Sequence, residues 1–446
     1  MRTTLTAVAL GALAFVIVFL LAKPVGDFLS GITPLARPAP PLPPAGERLP
    51  FSLPEGFAAY LYADDVPGAR VMIRDPKNAL LVSLTREGKV VALPNLDSDG
   101  KADRIVTVLD GLNNPHGLVV LCPETGFESE DQDGPSRPPR LGEAGQGGAE
   151  ADCTLYVAES HRVASYRYDA DTYTATIQWT HVNLPDDGGH DTRTLMLHPD
   201  KERILVSVGS SCNVCTENDE RRASILAFDP ILDGFTVFAT GLRNTVFMTT
   251  HYVTGAIWST EMGRDLLGDD IPPDEINILR EGRNYGWPIC YGDNIHDTRF
   301  DPEADASRRN GAGKNTCVGM ESSHIDLQAH SAPLGLVFIP EDPPRLAGAS
   351  GGEAGGWPEE WWYDLLVAYH GSWNRSVPTG YKIVRFPLDA RGNPEGRPVD
   401  FMTGFMTEEG DVIGRPVDIL VEPGGTMFVS DDRAGAIYRI VRTSLE

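Results

Sequence analysis

The sequence predicts an all-β fold, a six-bladed β-propeller behind an N-terminal hydrophobic anchor or signal segment. Three observations predict it. A pair of short apolar segments, the first ending in small or polar residues, recurs six times. Glycine (46) and proline (35) are abundant, as many short strands joined by turns require. No long stretch carries the 3.6-residue period of an amphipathic helix. The length, 446 residues, would by itself suggest two or three domains, and one large closed β architecture is the competing possibility.

After Arg2, the stretch from Thr3 to Ala22 is uncharged and mostly apolar, and Lys23 follows it. Its core, from Leu5 to Ala22, is near the lower length that spans a hydrocarbon layer. A cleaved signal peptide and an uncleaved anchor both fit. The run is long for a signal segment and no small-x-small site follows it directly, so an anchor is expected. The stretch Pro-Ala-Pro-Pro-Leu-Pro-Pro at 38–44 is a stiff, extended spacer that would hold a globular body off the membrane. The reading is therefore an anchor and linker over 1–46 and a propeller over 47–446, on the periplasmic side of an inner membrane. Fractionation should then find the full chain in the membrane pellet, and a chain starting near Gly46 should be soluble.

The first pair is Ala79-Leu-Leu-Val-Ser-Leu84 with Gly88-Lys-Val-Val-Ala-Leu93, and the second is Thr154-Leu-Tyr-Val-Ala-Glu-Ser160 with Arg162-Val-Ala-Ser-Tyr166. Ile204-Leu-Val-Ser-Val-Gly209 with Ser224-Ile-Leu-Ala-Phe228 is the third, and Ala256-Ile-Trp-Ser-Thr-Glu261 with Asp274-Glu-Ile-Asn-Ile-Leu279 the fourth. The last two join Leu365-Leu-Val-Ala-Tyr-His370 to Tyr381-Lys-Ile-Val-Arg-Phe386, and Thr426-Met-Phe-Val-Ser-Asp-Asp432 to Ala436-Ile-Tyr-Arg-Ile440. Each leaves room for four strands, hence six blades. Two stacked sandwiches would not produce six similar units. The periods are uneven because of insertions: a Glu/Asp/Gly/Pro-rich loop at 122–153 and a Pro/Gly-rich excursion at 341–360.

Six cysteines in an exported chain read as disulfides. The sequence-local pairs are Cys122–Cys153, Cys212–Cys215 and Cys290–Cys317. Cys212-Asn-Val-Cys215 also has the spacing of a redox motif or half a zinc site, although no second Cys/His pair sits nearby at zinc spacing. Thr216 follows it, where haem attachment needs histidine.

Lys+Arg total 38 against Asp+Glu 63, a formal charge of −25. That argues against phosphate-mediated nucleic-acid binding. It suits a neutral sugar and bound divalent cations.

The most specific block runs Gly241-Leu-Arg-Asn244, Ser259-Thr-Glu-Met-Gly263, Asp274-Glu-Ile-Asn277 and Asn284-Tyr-Gly-Trp-Pro288. In these elements and their order the sequence resembles the pyrroloquinoline-quinone (PQQ) dependent sugar dehydrogenases, including the soluble aldose and L-sorbosone dehydrogenases. The resemblance spans most of 50–446. Cys-Asn-Val-Cys and His370-Gly-Ser-Trp-Asn-Arg375 bring it closest to the sorbosone branch.

The resemblance implies an oxidoreductase that oxidises an aldose or related sugar, reduces PQQ and passes electrons to a separate acceptor, a quinone or cytochrome. It implies that His190, in Asp186-Asp-Gly-Gly-His190, is the general base. A neutral imidazole takes a hydroxyl proton near neutral pH. The family often has an aspartate to orient this histidine, where this chain has Gly209-Ser210; Asp187 or Asp191 are the substitutes at hand. PQQ is a planar tricarboxylate, and arginine forks pair bidentately with carboxylates. Arg243 with Asn244, Arg375 and Arg415 sit beside turns where a ligand at the channel mouth would meet them, and Arg243 is also expected to act in the reaction. His116 falls in another cofactor loop, and Trp373 could stack on the quinone. Calcium is the implied metal. Carbonyls of Gly263 and Arg264 would complete one site, and the Glu275 carboxylate with the Tyr285 carbonyl a second, structural one. Two other classes remain open, a calcium-dependent propeller lactonase and a non-catalytic binding propeller.

Overall fold

The computed structural model describes residues 46–123, 153–232, 234–302, 316–342 and 356–443. The anchor and its spacer up to residue 45, the insertion at 124–152 and the middle of the 341–360 excursion lie outside the described residues.

Six antiparallel sheets form the body, as the repeats predict. Blade 1 comprises Ala69–Arg74, Leu80–Leu84, Lys89–Leu93 and Val106–Leu109. Blade 2 comprises Leu118–Leu121, Cys153–Glu159, Arg162–Asp169 and Thr174–Asn183. Blade 3 comprises Leu195–Leu197, Ile204–Val208, Ser224–Phe228 and Thr236–Thr240, with Arg283–Asn284 added in parallel at its edge. Blade 4 is Thr245–Thr250, Ile257–Glu261, Asp274–Leu279 and Ile325–Leu327. Blade 5 is Pro333–Phe338, Leu365–Tyr369, Lys382–Phe386 and Val399–Met402. Blade 6 takes Pro416–Glu422, Thr426–Asp431 and Ala436–Arg442 from the chain's end and its outer strand, Phe57–Ala63, from the beginning. In that closure Phe57 pairs with Arg442 and Leu61 with Tyr438.

The recurring sequence pairs are the second and third strands of each blade. Second strands are buried on both faces between neighbouring blades, so they are apolar throughout rather than alternating. Every residue of Leu80–Leu84, Ile204–Val208, Ile257–Glu261 and Leu365–Tyr369 is buried. Trp258 fills the space between blades 4 and 5, edge-on to Phe338 with ring centroids 5.2 Å apart.

The first strands pack on one another in a closed ring, blade 1 against 2, 2 against 3, and on round to 6 against 1. Polar groups stitch that ring. The Met72 amide donates to Asp418 Oδ2 at 2.8 Å, the Gly117 amide to Arg193 O at 2.8 Å, and Thr260 Oγ1 to Leu334 O at 2.8 Å. Because all six first strands run the same way, the residues that precede them meet at one mouth of the channel.

The six cysteines form Cys122–Cys153, Cys212–Cys215 and Cys290–Cys317. Cys122 follows the first strand of blade 2 and Cys153 opens the second, so their bridge ties the 124–152 insertion at its base. With Cys212 and Cys215 bonded to each other, neither offers a thiolate to zinc.

Ring closure through Phe57–Ala63 gives a test. Phe57, Leu61 and Tyr62 are each at most 4% exposed. Burial of such side chains contributes about 1.5–3 kcal/mol apiece, against a typical net stability of about 5–15 kcal/mol. A chain beginning at Asp65 should therefore lose its cooperative thermal transition, whereas one beginning at Gly46 should keep it. Calorimetry of the two chains checks this.

Candidate active site

Five blade entries bring a basic side chain to the mouth just before the first strand: His116, the His190–Arg193 segment, Arg243, His330 and Arg415. Blade 1 adds Arg70 from within its first strand. Loops between second and third strands face them, carrying Ser210–Cys215, Met262–Asp265, His370–Arg375 and Asp432.

His190 is held by the loop that follows the next strand. Its Nδ1 lies 3.0 Å from Ser210 O and 2.9 Å from Ser210 Oγ. A carbonyl only accepts, so Nδ1 carries the proton and Nε2 keeps a bare lone pair. The carboxylates expected to orient this ring are engaged elsewhere: Asp187 Oδ1 with Arg222 Nη2 at 2.8 Å, Asp191 Oδ2 with Asn114 Nδ2 at 3.1 Å. Ser210 does the orienting instead. Gly209 makes the approach possible, since a Cβ there would lie 2.5 Å from His190 Cβ and 3.0 Å from Asn244 Oδ1. Burial first, and then the Arg243 guanidinium, lower the imidazole pKa to about 3. Arg193, fully buried three residues on, donates from Nη1 to His190 O at 2.9 Å and from Nη2 to Pro185 O at 2.7 Å, fixing the loop's curvature.

Arg243 is the most tightly bound cation of the mouth. Its Nε donates to Asn213 O at 2.9 Å, and its Nη2 to Asn213 Oδ1 at 3.0 Å and Asp265 Oδ2 at 2.9 Å. Nη1 makes a longer contact, 3.3 Å to Met262 O. Asn244 stands beside it, with its amide 2.7 Å from Glu261 Oε1.

Across the channel, Asp432 accepts from Arg70 Nη1 at 2.9 Å and lies 3.0 Å from His370 Nε2. Arg415 donates from Nε to His370 O at 3.2 Å and from Nη2 to Gly371 O at 3.3 Å. His116 is fully buried, with Nδ1 3.1 Å from Thr194 Oγ1. Burial and the nearby Arg70 push its pKa well below 6.5. Among the described residues, the buried nitrogens His116 Nε2, Arg70 Nε and Arg193 Nε have no hydrogen-bond partner.

Arg375 and Trp373 behave differently. Arg375 clasps two loops, donating from Nη1 to Asp269 O and to Ala329 O (3.2 Å) and from Nη2 to Asp270 Oδ1 at 3.3 Å. Its guanidinium is committed to that clasp rather than turned to the channel. Trp373 is 74% exposed, so it is not a core residue. Asn374 between them donates 2.6 Å to Asp265 Oδ1 and so joins this loop to Arg243's partner.

A pocket behind Arg243 and Gly263 is lined by Glu261, Glu275, Tyr285 and Asp297. Glu275 accepts from the Gly292 amide at 2.6 Å and from Asn277 Nδ2 at 2.9 Å. Glu261, its cross-strand partner, accepts from Asn244 N and from Thr245 Oγ1 at 2.5 Å. Burial raises both carboxyls, Glu261 to about 8. Arg264 is paired with Asp297 at 2.8 Å. Gly263 is needed for close packing, because a Cβ there would lie 2.6 Å from Pro273 O. Its amide donates to Asp274 Oδ1 at 2.9 Å.

Sequence reasoning missed Arg70, Arg193, Ser210, Asn213, Glu261, Asp265 and Asp432. Glu261, Asn213 and Asp432 lie inside quoted motifs, and the position of Glu261 and Asp432 at strand ends was a usable signal. Arg70 and Arg193 carried none.

A propeller with a basic, partly orphaned channel mouth defines a class: a β scaffold that presents cations to a ligand at one end of its axis. Residues 144–443 match the TrAA12-like family, and the chain belongs to it. An uncharacterized protein of Borreliella burgdorferi is 32% identical over 252 residues, 56% of this chain and 60% of its own length. A pyrroloquinoline quinone-dependent sugar dehydrogenase of Hypocrea jecorina is 26% identical, over 64% of this chain and 70% of its own. The chain thus spans less than two thirds of the Borreliella relative. The holo form of the pyranose dehydrogenase PQQ domain from Coprinopsis cinerea superposes with a TM-score of 0.66 at 22% identity, covering 90% of this chain and 98% of that one, which establishes the fold.

The lowered pKa of His190 makes a prediction about acid stability. Between about 3 and the ordinary value near 6.5, the unfolded chain binds a proton that the folded ring refuses. The ring's contribution is therefore fully present above 6.5 and is lost as pH falls toward 3. The parent's thermal midpoint should fall more steeply between pH 6.5 and 4 than that of His190→Gln. Melting curves across that range decide it; parallel slopes would contradict the assignment.

Proposed function

We propose that the chain is a PQQ-dependent dehydrogenase that oxidises an aldose or related, sorbosone-like sugar at this mouth, supported by Ca²⁺. One observation carries the reading. In a chain of net charge −25, the mouth gathers Arg70, Arg193, Arg243 and Arg415 with four histidines, and the buried donors Arg70 Nε and Arg193 Nε have no partner among the described residues. Unpaired buried donors are costly, and a planar tricarboxylate would satisfy them. The donor set therefore fits PQQ. Arg70, His116, Arg243, Asn244 and Arg415 would hold it, while Trp373 presents an open aromatic face. The Glu275 carboxylate and the Tyr285 carbonyl are the proposed donors to a structural Ca²⁺, which would have to displace the Gly292 amide or Asn277 Nδ2 from the carboxylate. The Gly263 and Arg264 carbonyls are the proposed donors to an ion at the cofactor.

When bound, PQQ with Ca²⁺ supplies a polarised carbonyl that accepts the sugar's hydride. His190 takes the hydroxyl proton at Nε2, the nitrogen Ser210 leaves bare. Arg243, fixed on three sides, stabilises negative charge without reorganising. Electrons pass to a separate acceptor, and we place the site on the periplasmic side of an inner membrane, anchored by the N-terminal segment.

Spectral titration of purified apo-protein with PQQ and Ca²⁺, followed by a dye-linked assay on aldoses, tests the proposal. Absence of PQQ binding with lactone hydrolysis would replace it by a hydrolase, and binding without sugar oxidation by a binding module. His190→Ala should lower turnover by about 10²- to 10⁴-fold with PQQ affinity little changed. Arg243→Ala should lose both PQQ retention and rate. Glu275→Ala should reduce the Ca²⁺-dependent part of the thermal midpoint and leave chemistry nearly intact.

A further inference from the structure

The loop bridged by Cys212–Cys215 touches both residues that the reaction needs. At its start, Ser210 faces His190 Nδ1 through both oxygens, and its amide donates to Arg243 O at 2.8 Å. Ser210 Oγ donates onward to Cys212 O at 2.6 Å. In the middle, Asn213 grips the Arg243 guanidinium through its carbonyl and side-chain oxygens. Asn213 also exchanges contacts with Asp265: its Oδ1 accepts from the Asp265 amide at 2.8 Å and its Nδ2 donates to Asp265 O at 3.1 Å. The loop's outer side is held by Glu217, which accepts from Ser211 N at 2.6 Å and Ser211 Oγ at 2.8 Å. Ser211 O in turn accepts from the Gly189 amide at 2.9 Å, next to His190.

A bridge between residues three apart closes too short a loop to remove much unfolded-state entropy. What it fixes is the turn that carries Asn213, to which Ser210 is tied through its Oγ–Cys212 O hydrogen bond. We propose that the Cys212–Cys215 bridge and Asn213 are positioning elements of the dehydrogenase site, setting His190 and Arg243 in one rigid frame. The idea rests on the proposed function only for its consequence in turnover; the positioning stands on the contacts above. Displacements of about 1 Å at such supports cost up to about 100-fold in rate, and loss of supporting contacts about 10- to 100-fold in ligand affinity by analogy with metal sites.

The test uses the whole chain in two variants, Cys212→Ser/Cys215→Ser and Asn213→Ala. The second keeps the bridge and covers the case in which the first does not fold. In apo-protein labelled with ¹⁵N-histidine, the parent's His190, assigned with His190→Gln, should show one tautomer with Nε2 unprotonated. The double variant should show averaged tautomers, with its thermal midpoint within a few degrees of the parent's. In the PQQ titration both variants should lose about 10- to 100-fold in affinity, and Asn213→Asp, which keeps an acceptor for Arg243, should recover much of the loss. A single tautomer retained in the double variant, or PQQ affinity within about twofold of the parent in both variants, would overturn the proposal. A parent that binds no PQQ would defeat the proposed function instead, and the tautomer measurement would still decide the positioning.

Discussion

The closed ring of first strands is the constraint on which everything else depends. Six sheets can close around an axis only if each inner strand lies against the next, and their common direction then delivers every blade's entry to the same mouth. Residues far apart in sequence become neighbours without any local signal. Asp432 meets Arg70 across 362 positions, and Asn374 meets Asp265 across 109. Closure itself rests on the pairing of Phe57–Ala63 with Ala436–Arg442, so both ends of the described chain secure the geometry of a site at its centre.

Electrostatics at the mouth follow from this crowding. Four guanidinium groups, of Arg70, Arg193, Arg243 and Arg415, that would be solvated apart are desolvated together, and only Asp432 and Asp265 pair directly with Arg70 and Arg243. Burial lowers the pKa of Arg70, Arg243 and Arg415 alike, the sign that their charge is held at a cost. A site with surplus buried positive charge and unpaired donors is preorganised for an anion.

The blade count was legible because second strands, apolar on both faces, stand out from any background. First strands were not. Leu195–Leu197 has three residues and is flanked by polar loops, so no periodicity marks it. At the site, His190, Arg243 and Asn244 could be read from compact motifs. Gly209-Ser210 could be located at the place of the orienting aspartate, but a serine after a glycine is an ordinary turn residue until the ring packs it against an imidazole, so Asp187 and Asp191 read as the better partners. Arg375 looked like a ligand for the same local reason that Arg243 did, a cation beside a turn, and only the neighbouring Asp269–Asp270 loop distinguishes them.

The contrast between an acidic body and a basic mouth has a kinetic meaning. An approaching anion first meets the repulsive field of a surface carrying −25 and feels the arginines only inside about one Debye length, roughly 8–10 Å at ordinary salt. Entry and exit then share a barrier, so a polyanionic ligand loads slowly and leaves slowly. Added salt, which weakens most encounters between opposite charges, would hasten this one by screening the outer surface. A neutral solute would cross the same field untouched, so its exchange would be free of the barrier that slows a polyanion.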